Sequence, residues 1–174
     1  MKKVITGLFV LTAVITSCAT VQSIVKSTFP YTSTLIIPAS SETGKTLTAT
    51  SSASSFDEIF TGNGSNTSQI SQVRINSAKI EAENPSNQNL GVFKSVQVYL
   101  LNGANQTLVA SRKDVSTTVG NSLVLDVDNS KFLDDYLKSG NVKVRVEYVL
   151  QNGLNVDLSV KASLGFNASP ASTN

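Results

Sequence analysis

Between Thr28 and Phe166 the apolar residues recur at every second position, the period of a strand that buries one face and wets the other. Phe29, Tyr31, Leu35 and Ile37 share one parity. Pro30 and Pro38 interrupt them, and because proline has no N–H to give a ladder, this segment reads as an edge strand. Residues 45–53 (KTLTATSSA) form a second, weaker candidate rich in Thr. Ser55 to Phe60 fits one helical turn with Ser55 as N-cap, and a loop follows at 61–67. Val73 and Ile75 then lie on one parity and Ala78, Ile80 and Ala82 on the other, which predicts a single strand with a β-bulge near Ser77. Asn84-Pro85 ends it.

In the second half Val96, Val98 and Leu100 alternate with Ser95, Gln97 and Tyr99, and Asn102-Gly103 opens a hairpin turn into 107–112. Leu123, Leu125 and Val127 predict a further strand with Asp126 and Asp128 on its wet side. The stretch DNSKFLDDYLKSGN (128–141) breaks the alternation. Phe132, Leu133, Tyr136 and Leu137 sit at helical spacing, Asn129 or Ser130 can cap the start and Gly140 can close the end, so a two-turn helix is expected. Val142 to Leu150 resume period two. Asn152-Gly153, the strongest hairpin signal in the chain, joins them to a return strand carrying Leu154, Val156, Leu158, Val160, Ala162, Leu164 and Phe166 on one face. Residues 167–174 read as a flexible tail.

Seven or eight strands with one apolar face each need a second sheet to cover them. The expected fold class is therefore all-β, a two-sheet antiparallel β-sandwich of immunoglobulin-like proportions with one short helix, over residues 28–166. The Cys, Trp, Cys pattern of true immunoglobulin domains is absent, since the chain has one Cys and no Trp.

Ahead of the strands, Lys2 and Lys3 precede an apolar run from Val4 to Ile15, and the small residues Thr16 and Ser17 follow. This is the layout of a secretory signal peptide, and the run is well short of the roughly 20 residues that span a bilayer as a helix. Cys18 is by type a buried thiol, a nucleophile or an attachment site, and its place directly after this segment selects the last. Ile15-Thr16-Ser17-Cys18 resembles the bacterial lipobox. The resemblance implies that 1–17 are a lipoprotein signal peptide, that Cys18 is the lipid attachment residue, and that 18–27 are the lipidated Cys and a tether. An ordinary secretory signal with an incidental thiol is the alternative. By resemblance to enterobacterial sorting, Ala19 in place of Asp implies the outer membrane; Thr20 to Ser23 lack the acidic cluster that resembles a surface-export signal in Bacteroidota lipoproteins, which implies a periplasm-facing anchor, with surface exposure still open.

Processing changes the charge. Without Lys2 and Lys3 the remaining Lys and Arg equal the 12 Asp and Glu, so residues 18–174 are formally neutral. A neutral chain without Trp offers neither the basic footprint nor the stacking platforms of a nucleic-acid binder. Ser, Thr and Asn make up 57 of the 174 residues, which gives a surface solvated by hydroxyls and amides, and no disulfide is available to brace it.

Candidate chemistry is sparse. No histidine is present, which removes Ser-His-Asp and Cys-His triads and imidazole metal sites. Ser23 and Lys26 have Ser-x-x-Lys spacing but fall in the tether, and Gly62-Asn63-Gly64 lacks the Lys of a phosphate loop. Asp126, Asp128, Asp134 and Asp135 are the one dense acidic group, the only source of a glycosidase-like carboxylate pair. Asp126 to Ser130 begins like a Ca²⁺ loop, but Lys131 and Leu137 stand where an EF-hand needs Gly and a bidentate Glu. Tyr31, Tyr99, Tyr136 and Tyr148 could form a carbohydrate platform, or serve as strand and helix packing.

The strand ending at Asn84-Pro85, FKSVQVYL (93–100) and YLKSGNVKVRVEY (136–148) are similar to segments of uncharacterised exported lipoproteins of Bacteroidota. That resemblance implies a β-sandwich lipoprotein and supplies no activity. The expectation is a non-enzymatic, membrane-anchored envelope lipoprotein with a protein-binding or assembly role, with no cofactor, catalytic residue or metal site. Its partners are the membrane, through lipidated Cys18, and an unknown envelope protein or glycan. The alternative is an accessory lipoprotein binding a carbohydrate or lipid, between the sheets or at the loops near Asn63 and Asn87.

Overall fold

Alternation over nine segments builds two antiparallel sheets whose apolar faces close on each other. The structure, a computed structural model, describes residues 29–52, 70–138 and 142–171. In chain order the elements are β1 (Phe29–Ile37), β2 (Thr46–Thr50), β3 (Ile70–Asn84), a 3₁₀ turn (Leu90–Val92), β4 (Phe93–Asn102), β5 (Asn105–Arg112), β6 (Ser122–Val124), β7 (Asp126–Val127), α1 (Asp134–Leu137), β8 (Lys143–Leu150) and β9 (Leu158–Pro170). One sheet has the order β1-β9-β3-β6 and the other β2-β8-β4-β5-β7. The all-β, two-sheet sandwich expected from the pattern is what forms.

Between the sheets, Tyr31, Leu35, Ile75, Ile80, Val160 and Phe166 face Val96, Val98, Leu100, Val144, Val146 and Tyr148, all buried. The Tyr148 ring meets Phe93 edge-on at 5.8 Å while its hydroxyl shares a 2.9 Å hydrogen bond with Ser41 Oγ, so an apolar ring and a polar tip are both satisfied. β1 and β2 are edge strands, and the proline at position 30 is tolerated there. The register of β3 against β9 shifts between Ile75 and Ser77, where the phase of the apolar residues changes. The Asn102-Gly103 hairpin forms, with Gly103 at φ 57°.

Four expectations are corrected. The Asn152-Gly153 hairpin does not exist: β8 pairs with β2 and β4, β9 pairs with β1 and β3, and residues 151–157 cross from one sheet to the other. Apolar alternation is the same whether two strands lie side by side or face each other across the core, so it could not tell these cases apart. The link is held by backbone N–H groups of Gln151 and Asn152 to the Val92 carbonyl, and by Gln151 Nε2 donating to the carbonyls of Gly91, Phe93 and Val115 at 2.7, 2.9 and 3.1 Å. Gly153 has no positive φ, and Val156 is exposed rather than on a strand.

The expected strand through Leu123, Leu125 and Val127 is two strands in different sheets, β6 against β3 and β7 against β5. Leu125, buried, makes the crossing, with its N–H on the Ala78 carbonyl at 2.9 Å. The expected two-turn helix is the single turn α1, because Asp128 Oδ1 takes the N–H and the hydroxyl of Ser130 and Leu133 donates its N–H to β3. The tail expected from 167 is strand as far as Pro170, pairing with β3 down to Ile70. The helical turn at 55–60 and the loop at 61–67 lie outside the described residues.

Candidate functional site

β3 departs from regularity where it begins. Its register against β9 shifts between Ser71 and Arg74 as well as at the second bulge, and Gln72 adopts φ 55°, a left-handed conformation uncommon away from glycine. The bulge takes Val73 out of the β9 ladder, and its backbone is satisfied from the other side. Its N–H donates to Asp134 Oδ2 at 3.1 Å and its carbonyl accepts from the Leu133 N–H at 2.8 Å. These two bonds lay the segment before α1 along β3. Arg74 then reaches it: Nη1 donates to the Asn129 carbonyl at 2.6 Å, and the guanidinium lies 3.9 Å from the centroid of Phe132.

Across the strand, Asn167 of β9 is the register partner of Arg74. Gln72, Arg74, Asn76, Asn129, Asn167 and Ser169 line an open groove of about 240 Å³, with the buried Ile75 and Ala168. Four side-chain amides and one guanidinium meet there, and no carboxylate does. The amides of Asn76, Asn129 and Asn167 hydrogen-bond to no other described residue.

A second hollow adjoins the first: the bulge leaves Asn76 and Ser77 both exposed, and their strand pairs there with β9 at Asn167 (opposite Arg74) and Gly165 (opposite Ser77), two positions apart on one face. It is about 290 Å³ and mostly apolar, and it includes Pro30, Ser77, Val124, Ser163 and Gly165. Gly165, the register partner of both Pro30 and Ser77, leaves a low point in the outer face of the sheet. Farther along, the face fills with charged side chains, Lys79 pairing with Glu81 at 2.9 Å and Lys161 approaching Glu81 at 3.9 Å.

The residues singled out from sequence do not assemble elsewhere. Asp126 is exposed and 3.4 Å from Arg112, while Asp135 is exposed on α1. Asp128 is held by Ser130 and lies 3.3 Å from Lys131 Nζ. The Ser130 hydrogen bonds, chiefly that from its hydroxyl, and then the Lys131 charge lower its pKa below the ordinary 3.8. Asp134 is the acceptor for the Val73 N–H. Among the described residues no three Asp, Glu, His or Cys side chains group to hold a metal.

The tyrosines form no platform. Tyr31 and Tyr148 are in the core, Tyr136 is partly buried beside it, and Tyr99 is on the outer face of the other sheet under Arg145, its hydroxyl donating to Gln97 Oε1 at 2.6 Å. Asn87 is exposed beyond the far end of β3, away from the groove. Cys18, Ser23, Lys26 and Gly62 to Gly64 lie outside the described residues. Gln72, Arg74, Asn76 and Asn167 were not recognisable as a group from sequence. The one signal pointing to them was the phase change near Ser77, because bulges collect beside functional sites.

The fold and site define a β-sandwich with a polar, amide-lined groove at the bulged end of one sheet. No protein-family model matches the chain, and no curated protein matches it. Among solved structures it is similar to one of desmodium yellow mottle tymovirus, at 8% identity over 100% of this chain and 98% of that one with a TM-score of 0.25. It is also similar to the empty head of turnip yellow mosaic virus, at 12% identity over 99% and 93% with a TM-score of 0.22. Neither score reaches the level at which two chains share a fold.

Proposed function

We propose that this protein is a non-enzymatic lipoprotein of the bacterial outer membrane, anchored through Cys18 and facing the periplasm, whose sandwich binds an envelope partner or supports an envelope assembly. The observation that carries the reading is the ordered series of Lys2-Lys3, the apolar run and Ile15-Thr16-Ser17-Cys18. Two or three acyl chains on one cysteine make a durable anchor where a single chain is marginal. Residues 18–28 can reach at most about 40 Å, so an anchored sandwich stays close to the bilayer. β1, the first strand after that tether, is an edge strand, so the chain enters the fold without crossing a sheet.

Metabolic labelling with a fatty-acid probe tests the anchor. The wild-type chain is expected to take up label and fractionate with membranes, and Cys18→Ser to lose both. Label that persists in Cys18→Ser would sink the reading.

A further inference from the structure

We propose that the groove at the bulged end of β3, together with the adjoining hollow over Gly165, is a binding site for a glycan. The inference goes beyond the anchored-lipoprotein reading and does not depend on lipidation of Cys18.

The lining is the reason. An amide side chain offers a carbonyl acceptor and an NH₂ donor in one plane, which matches the paired donor and acceptor of neighbouring sugar hydroxyls. Asn76, Asn129 and Asn167 present such groups with no partner among the described residues. Arg74 adds donors, and its position is fixed by the Asn129 carbonyl and the Phe132 ring. With no carboxylate in the lining, nothing there selects a cation or a metal. The neighbouring hollow supplies what a pyranose also needs, an apolar surface for its C–H face, from Pro30, Val124 and the bare backbone of Gly165. Each hollow is smaller than the roughly 300–1,000 Å³ of a typical ligand pocket, so the ligand lies across the two as a short run of rings rather than sinking into one. Lys79 lines the hollow itself, its ammonium paired with Glu81 at 2.9 Å, and Glu81 and Lys161 bound the site beyond it.

The test is a ¹H–¹⁵N titration of the full chain with three probes at millimolar concentration: maltotriose, cellotriose and triacetylchitotriose. At least one is expected to give saturable shifts centred on residues 72–77, 129 and 165–169. Asn167→Ala and Asn76→Ala, both at solvent-accessible positions, are each expected to weaken that binding about tenfold, the loss of one or two hydrogen bonds. Thr34→Ala, elsewhere on the same face, should leave it unchanged. Cys18→Ser should bind as wild type, which keeps this result separate from the anchor. The proposal is overturned if no probe gives saturable shifts, if the shifts centre elsewhere, or if both asparagine variants bind as tightly as wild type.

Discussion

Gly91 and Gly153 show at the residue scale how a turn signal differs from a packing demand. Gly91 is buried in the 3₁₀ turn, and a Cβ there would collide with the Thr117 backbone carbonyl. Asn89 holds the two segments at that separation, accepting from Gly91 N at 2.8 Å and Gly120 N at 3.2 Å and donating to the Thr117 carbonyl at 2.7 Å. Gly91→Ala is expected to cost about 2–3 kcal/mol by overpacking. Gly153→Val, with open space around it and no positive φ, is expected to stay within about 0.5 kcal/mol. Denaturant midpoints rank the two, and the opposite order would restore the tight turn that Asn152-Gly153 suggests. Asp128 offers a second residue-level check. Its carboxylate is favoured by Ser130, so its contribution is full above the unfolded value near 3.8 and is lost as pH falls through the lower folded value. Ser130→Ala is expected to move the Asp128 titration upward toward the ordinary value, read by carboxyl NMR.

At the scale of elements, side chains at strand ends decide what the apolar pattern leaves open. Without Asp134 the bulged Val73 would keep a buried N–H with no acceptor, and the start of α1 would lose a bond to β3. Asp134→Ala is expected to cost about 1–3 kcal/mol and to remove hydrogen-exchange protection from the Val73 amide. Asp135→Ala, at an exposed position one residue on, is expected to change stability by less than about 0.5 kcal/mol. Equal effects from both variants would mean that the acidic pair acts through α1 alone. The same principle accounts for β6 and β7: Leu125 sits between the layers, and the chain changes sheets there without breaking its alternation.

For the whole molecule, the last strand is the centre of one sheet. β9 is the partner of both β1 and β3, strands that lie far before it in the sequence. A chain ending at Asp157 therefore leaves β1 without a neighbour and exposes the core face lined by Ile75 and Ile80. It is expected to show no cooperative thermal unfolding, whereas a chain ending at Ala171 keeps the wild-type transition. A cooperative melt from the shorter chain would contradict the sheet order. Such long-range pairing also places folding in the millisecond-to-second range typical of β-sandwiches, measurable by stopped-flow.

The sequence alone determined the class of fold, the alternation of each long strand, the bulge near Ser77 and the hairpin at Asn102-Gly103, because each is a local property of side-chain parity or turn chemistry. It also carried the Ile15-Thr16-Ser17-Cys18 series on which the proposed anchor rests, and that series is a linear signal. Beyond that hairpin, only the tertiary structure decided which strands are neighbours. A strand with one apolar face fits equally well beside another strand or across the core from it, and Asn152-Gly153 cannot choose between them when β2 and β4 already flank β8. The groove was illegible for the same reason. Gln72, Arg74, Asn76, Asn129 and Asn167 are ordinary surface polar residues in the sequence, and they converge only because two bulges and the Val73 to Asp134 bond bring the start of β3, the end of β9 and the segment before α1 to one place.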